Sequence, residues 1–168
     1  MNVYLIGPMG AGKSAVGKQL ARQLKLDFVD SDTEIENRTG VDIPFIFEKE
    51  GEAGFRKRET AVIADLTDRN NLVLATGGGV IGEPDNRRRL GARGQVVYLT
   101  ASIEQQLTRT RRGRERPLLK DGEPRAILTA LMDVREPLYQ ELADMVVATD
   151  QRRVNDVVDE ILQRLDAL

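Results

Sequence analysis

The 168-residue chain contains no cysteine and no histidine. Without cysteine there is neither a disulfide framework nor a thiolate metal site. Without histidine the usual zinc ligand and the imidazole base are both missing. Acid–base chemistry therefore falls to Asp, Glu, Lys, Tyr or water. A positive excess is absent too: 25 Lys and Arg against 27 Asp and Glu leave a formal net charge of −2. A generally basic surface for nucleic acid is not indicated, and no nucleic-acid partner is expected. There is no N-terminal signal pattern and no long apolar run. The expectation is a soluble, cytoplasmic, monomeric protein without a membrane partner.

What remains is an ordinary globular balance, 40% hydrophobic and 31% charged. The length favours a single domain over 1–168 with a real core. Among the basic residues arginine greatly outnumbers lysine. Its planar fork suits phosphate and carboxylate oxygens, although a high-GC genome produces the same bias.

Five apolar runs stand out: VYLI (3–6), DFVD (27–30), LVLAT (72–76), VVYLT (96–100) and MVVAT (145–149). They are unbroken rather than alternating, which is how strands buried on both faces read. Amphipathic helical patterns lie between them, at 13–25 and 52–69 for example. Strand alternating with helix predicts a parallel α/β sheet. Residues 31–62 carry short helical patterns and no strand. Residues 111–124, dense in Arg, Gly and Pro, have no core-forming period and are expected to form a mobile surface loop. Both segments read as insertions on the sheet scaffold.

The stretch GPMGAGKS (7–14) matches G-x-x-x-x-G-K-[ST] between a predicted strand and a predicted helix. Glycine costs stability wherever regular structure would continue. Its use here leaves backbone N–H groups bare for phosphate oxygens at a helix N-terminus. Gly10, Ala11, Gly12, Lys13, Ser14 and Ala15 are expected to hold ATP. Lys13 reaches the β- and γ-phosphates, and the Ser14 hydroxyl is a ligand for Mg²⁺. Such a loop alone does not separate a kinase from a GTPase, an ATPase motor or a nucleotide-binding regulator. The N-K-x-D and D-x-x-G signatures of a GTPase switch are absent.

Four further stretches bear on the choice. In DFVDSD, Asp30 and Asp32 leave the second strand two residues apart, one placed to hold the water shell of Mg²⁺ and one to face an acceptor hydroxyl. Asp32 is equally placed to N-cap the helix that follows. In GFRKRE, Arg56 and Glu59 share a helical face, so the carboxylate can hold the guanidinium. Gly77, Gly78 and Gly79 end the third strand and suggest close approach of a ligand to backbone. In VREPLY, Pro137 is expected to end or kink its helix and expose Arg135.

Taken together, GPMGAGKS, DSD, GFRKRE, TGGG, RPLL and REPLY stand in the order and spacing of bacterial shikimate kinases, and the resemblance runs over essentially the whole chain. It implies an ATP-dependent phosphotransferase acting on the 3-hydroxyl of shikimate, in the pathway to aromatic amino acids. It also implies the fold of nucleoside monophosphate kinases: five parallel strands, helices on both faces, a substrate-binding insertion (about 31–62) and a lid (about 111–124). Carried over residue by residue, Asp32 binds the reacting hydroxyls and acts as base. Asp30 lies near the metal's water shell. Arg56 and Arg135 hold the shikimate carboxylate, and Gly77, Gly78 and Gly79 line the ring. Arg116 is the lid arginine, and Arg109 and Arg153 are adenine-binding elements. The alternatives are another kinase of this fold, such as a gluconate or nucleoside monophosphate kinase, or a non-catalytic nucleotide-binding module.

Overall fold

The computed structural model describes residues 1–112, 116–119 and 122–168. Five parallel strands form one sheet: β1 (Asn2–Ile6), β2 (Asp27–Asp30), β3 (Leu72–Ala75), β4 (Gln95–Thr100) and β5 (Met145–Ala148). Their spatial order is β2-β3-β1-β4-β5. All five expected apolar runs are strands, with ends shifted by no more than a residue. The helices are α1 (Lys13–Leu24), α2 (Ser31–Thr39), α3 (Ile43–Thr67), α4 (Pro84–Arg93), α5 (Ile103–Arg112), α6 (Pro124–Leu142) and α7 (Val154–Asp166).

The alternation of side chains along β1 divides the interior in two. Tyr4 and Ile6 join a core built with α2, α3, α4 and α6. Val3 and Leu5 join a core built with α1 and α7. Both faces of the sheet are thus covered, which is why its strands read as continuous apolar runs. No helix among the described residues is long and apolar enough to cross a membrane.

Residues 31–62 are helical, as expected, except for the link at 40–42 between α2 and α3. Within α3 the chain breaks at Gly51, where φ is 71° and ψ 179°. Two expectations need correction. Pro137 does not end its helix: α6 continues five residues beyond it to Leu142. An interior proline costs about 3 kcal/mol or more, yet Leu128 on one side of it and Tyr139 on the other are both buried and anchor the helix. Consequently Arg135 is not displayed to solvent but lies half-buried against the cleft. The expected loop at 111–124 is also not surface alone. Its Pro117–Leu119 form a 3₁₀ turn whose Pro117 and Leu118 line a cavity. Residues 113–115 and 120–121 of that segment lie outside the described residues.

Candidate active site

Three loops leave neighbouring strands at the carboxyl edge of the sheet, where ligands bind in open α/β folds. The loop after β1 carries three glycines with positive φ, at Gly7, Gly10 and Gly12. Gly12 caps α1 at φ 87°, and a Cβ there would lie 2.8 Å from Arg109 Nη1. No other residue fits without strain. Lys13 is buried and donates to the carbonyls of Gly7 (2.6 Å) and Pro8 (2.9 Å). An ammonium has three donors, so one is left for the cleft. Burial pulls Lys13 down to about 8, against the pull of Asp32, which raises it.

Ser14 donates its hydroxyl to the Asp30 carboxylate. This pair is the candidate metal site. A hydroxyl and a carboxylate are hard oxygen donors suited to Mg²⁺. No group of three or more Asp or Glu among the described residues could hold an ion. Mg²⁺ commonly takes one or two protein ligands and completes its shell with phosphates and water.

The competing role for Asp32 is filled by its neighbour. Asp30 is the N-cap of α2, accepting from the backbone N–H groups of Asp32 (2.9 Å) and Thr33 (3.2 Å). Asp32 is therefore not the cap, and its carboxylate turns toward the triple-glycine turn. A Cβ on Gly77 would sit 2.9 Å from Asp32 Oδ1 and 3.0 Å from Glu59 Oε2. That turn is held at its start by Thr76, bonded to the Leu5 carbonyl (2.8 Å), and by Ser31, which accepts from the Gly77 N–H (3.2 Å).

Arg56 and Arg135 converge at Gly79. A Cβ there would overlap the Arg56 guanidinium and come within 2.7 Å of Arg135 Nη2. Arg56 donates to Glu59 Oε1 (2.9 Å), the contact expected from their spacing, and also to Glu52 (3.1 Å). Burial opposes the charge on Arg56, but Glu59 and Glu52 outweigh it and hold the guanidinium above its ordinary value. Arg135, with less acidic company, is lowered, by burial and by Arg56.

Two cavities meet here. The first contains Asp32, Arg56, Glu59, Arg135 and Gly77–Gly79, with an apolar wall of Ile43, Phe47, Phe55, Pro117 and Leu118. The second contains Gly10, Gly12, Lys13, Ser14, Ala15, Asp30 and Arg109. Asp32, Arg116, Met9, Gly77 and Gly78 border both. Ala11, within the phosphate loop, is buried in the core shared with α1 and α7. Arg109 donates to the Gly10 carbonyl (3.2 Å) and shares a separate groove with Arg153, Ser102 and Asp150. The apolar wall went unnamed in the sequence reading, although the spacing of Ile43 and Phe47 is the i, i+4 of one helical face.

Glu59 is 1% exposed, and its Oε2 has no hydrogen-bond partner among the described residues. Burial pushes its carboxyl up to about 7, with Arg56 opposing and Asp32 adding to the rise. The folded protein thus holds this proton more tightly than the unfolded chain. The stabilisation is complete below about 4.5 and is lost as pH rises through about 7. At 1.36 kcal/mol per pH unit, the loss is about 3 kcal/mol. Thermal melts of the parent and Glu59→Gln from pH 5 to 8 are expected to show the parent losing ground steadily to the variant. A constant difference in Tm would remove Glu59 as the titrating group.

The shikimate kinase family model matches residues 9–166. A shikimate kinase of Pseudomonas savastanoi pv. phaseolicola is 57% identical over 99% of this chain and 97% of its own. The solved structure of shikimate kinase from Acinetobacter baumannii in complex with shikimate is 52% identical, with a TM-score of 0.96 over 99% of this chain and 93% of its own. A gluconokinase from Sinorhizobium meliloti, 16% identical with a TM-score of 0.58 over 99% of this chain and 91% of its own, shares the fold alone. With the model spanning nearly the full length and identities above one half, this chain belongs to the shikimate kinase family.

Proposed function

We propose that the two joined cavities transfer the γ-phosphoryl group of ATP to the 3-hydroxyl of shikimate, giving ADP and shikimate 3-phosphate. The reading rests above all on the convergence of Arg56 and Arg135 at Gly79, with Asp32 beyond them at the mouth of the phosphate loop. A small ring with one carboxylate and several hydroxyls fits that order. Two guanidiniums grip the carboxylate by charge-assisted hydrogen bonds. The ring lies between the glycine turn and the Ile43, Phe47 and Phe55 wall. Its 3-hydroxyl meets Asp32.

Phosphoryl transfer asks the protein mainly for alignment and charge neutralisation. Lys13 supplies charge at the β- and γ-phosphates. Asp32 orients the hydroxyl and takes its proton as the O–P bond forms. Arg116, bordering both cavities, supplies charge from the lid, so that full neutralisation waits for a closed, water-excluding site. Ser14 directly, and Asp30 through water, would hold Mg²⁺, which when bound neutralises charge between the β- and γ-phosphates. Arg109 and Arg153 would border the adenine. In this reading residues 1–168 form one cytoplasmic, monomeric domain, with 31–62 as the acceptor insertion and 111–124 as the lid.

The direct test is steady-state ADP release with and without shikimate; turnover that shikimate does not stimulate would refute the reading. Arg56→Ala and Arg135→Ala should each weaken shikimate binding by about 2–3 kcal/mol, the loss of a charge-assisted pair. Discrimination is sharper than affinity. The parent should reject a carboxamide analogue of shikimate far more strongly than either variant does. Equal discrimination would sink the carboxylate clamp.

A further inference from the structure

Three successive glycines form the turn that faces the acceptor, and they have no side chains with which to hold its shape. Glycine loses more conformational freedom on ordering than any other residue. The ends of the turn are tied by Thr76 and Ser31 at the start, and by Asn86, which donates to the Val80 carbonyl (3.0 Å) just past it. At its middle, the Tyr139 hydroxyl donates to the Gly78 carbonyl at 2.5 Å, across 61 residues of sequence.

Tyr139 is fully buried, and its ring stacks on Tyr98 with centroids 4.8 Å apart. Tyr98 in turn donates its hydroxyl to the Glu136 carboxylate, which also accepts from Gln140 (2.8 Å). The stacked ring of Tyr98 thus fixes the ring of Tyr139 from behind, and only the Tyr139 hydroxyl reaches the turn. Burial pushes that phenol well above its ordinary value, so it keeps the proton this hydrogen bond needs.

On α6, Tyr139 lies four residues after Arg135, one turn along the same face. The positive charge of Arg135 is felt at the phenol, where it opposes the effect of burial. The guanidinium also lies over the same turn, where a Cβ on Gly78 would be 3.4 Å from Arg135 Nη1. One oxygen therefore faces half of the proposed carboxylate clamp while donating to the backbone that lines the ring.

We propose that Tyr139 is a positioning residue for the acceptor: through its hydroxyl it holds Arg135 and the Gly78 turn in the relative placement that shikimate requires. This rests on the acceptor-site reading above. The acceptor gains affinity because the turn and the arginine are set before it arrives, and less ordering is left for binding to accomplish.

The experiment compares Tyr139→Phe, Tyr98→Phe, Arg135→Ala and the double variant Tyr139→Phe with Arg135→Ala. Tyr139→Phe keeps the stacked ring and deletes only the hydroxyl. It should raise the KM for shikimate about tenfold, the upper end of the scale of one ordinary hydrogen bond, with kcat and the KM for ATP changed by less than about twofold. Tyr98→Phe deletes a buried hydroxyl of the same kind that does not touch the turn, and should leave the shikimate KM in place. In the Arg135→Ala background, Tyr139→Phe should add little further, because interacting groups are not additive. An unchanged KM in Tyr139→Phe, where Arg135→Ala raises it, overturns the proposal. So does an equal rise in Tyr98→Phe, which would mark a general packing defect. If Arg135→Ala itself leaves the shikimate KM untouched, the acceptor-site reading fails first, and the role assigned to Tyr139 fails with it.

Discussion

Lys13→Ala is expected to lower kcat by about 10²–10³-fold, in the range found when a preorganised positive or hydrogen-bonding group is taken from a transition state. The buried ammonium is held by the Gly7 and Pro8 carbonyls and so stands in place before ATP arrives. On the proposed reading its charge is needed most as the γ-phosphoryl group passes between oxygens. The helix below should survive, since Val16, Gly17 and Leu20 bury α1 independently of Lys13. Far-UV dichroism and a thermal melt establish that before kinetics are read. A pH dependence accompanies this result. With Lys13 lowered to about 8 in the unliganded protein, the KM for ATP should climb as pH rises through that value and the cation is lost. Near-parental turnover of the variant at saturating ATP would take Lys13 out of the mechanism.

The second large effect belongs to Asp32→Asn. The change preserves size but removes the negative charge that, on the proposed reading, orients and deprotonates the hydroxyl. The expected fall in kcat is about 10²–10⁴-fold, the range of a lost general base. Equilibrium ATP affinity should move by less than about twofold on this reading, because the proposed phosphate and metal contacts come from Lys13, Ser14 and Asp30. The local fold should tolerate the change, since Asp30 and not Asp32 caps α2. A variant in which only the KM for ATP rises would place Asp32 on the donor side and refute its role at the acceptor.

That exchange between Asp30 and Asp32 shows where sequence reading stops. The pair was visible because two carboxylates follow an apolar strand. Which one caps depends on where β2 turns into α2, a boundary that a four-residue strand and a polar helix do not mark. The strands themselves were legible because burial on both faces writes an unbroken apolar run. The phosphate loop was legible because its glycines, lysine and serine are local in sequence. Arg135 was misplaced because Pro137 removes one helical hydrogen bond in a way a sequence displays, while the packing of Leu128 and Tyr139 that outweighs it is tertiary. Tyr98 and Tyr139 come from a strand and a helix 41 positions apart, and no periodicity joins them.

The register of the sheet has a consequence for which changes of length this chain can absorb. Leu5 and Asp30 both pair with Ala75, so the phosphate loop, the paired carboxylates and the glycine turn depart from one level of three adjacent strands. Strands stand about 4.8 Å apart, and each residue advances about 3.3 Å. The gap between the proposed donor and acceptor sites is therefore inherited from the spacing of peptide hydrogen bonds. An insertion or deletion of a single residue within β3 would carry the glycine turn about 3.3 Å along the strand and send its inward groups to the opposite face. The same change at Arg69–Asn71, before the strand begins, would leave the register of β3 in place and disturb only local ties, such as those of the Arg69 carbonyl to Asn2 and of the Asn71 carbonyl to the Asp27 N–H. Reaction geometry thus tolerates variation in how long the chain takes to reach the sheet, and almost none in how far it runs once there.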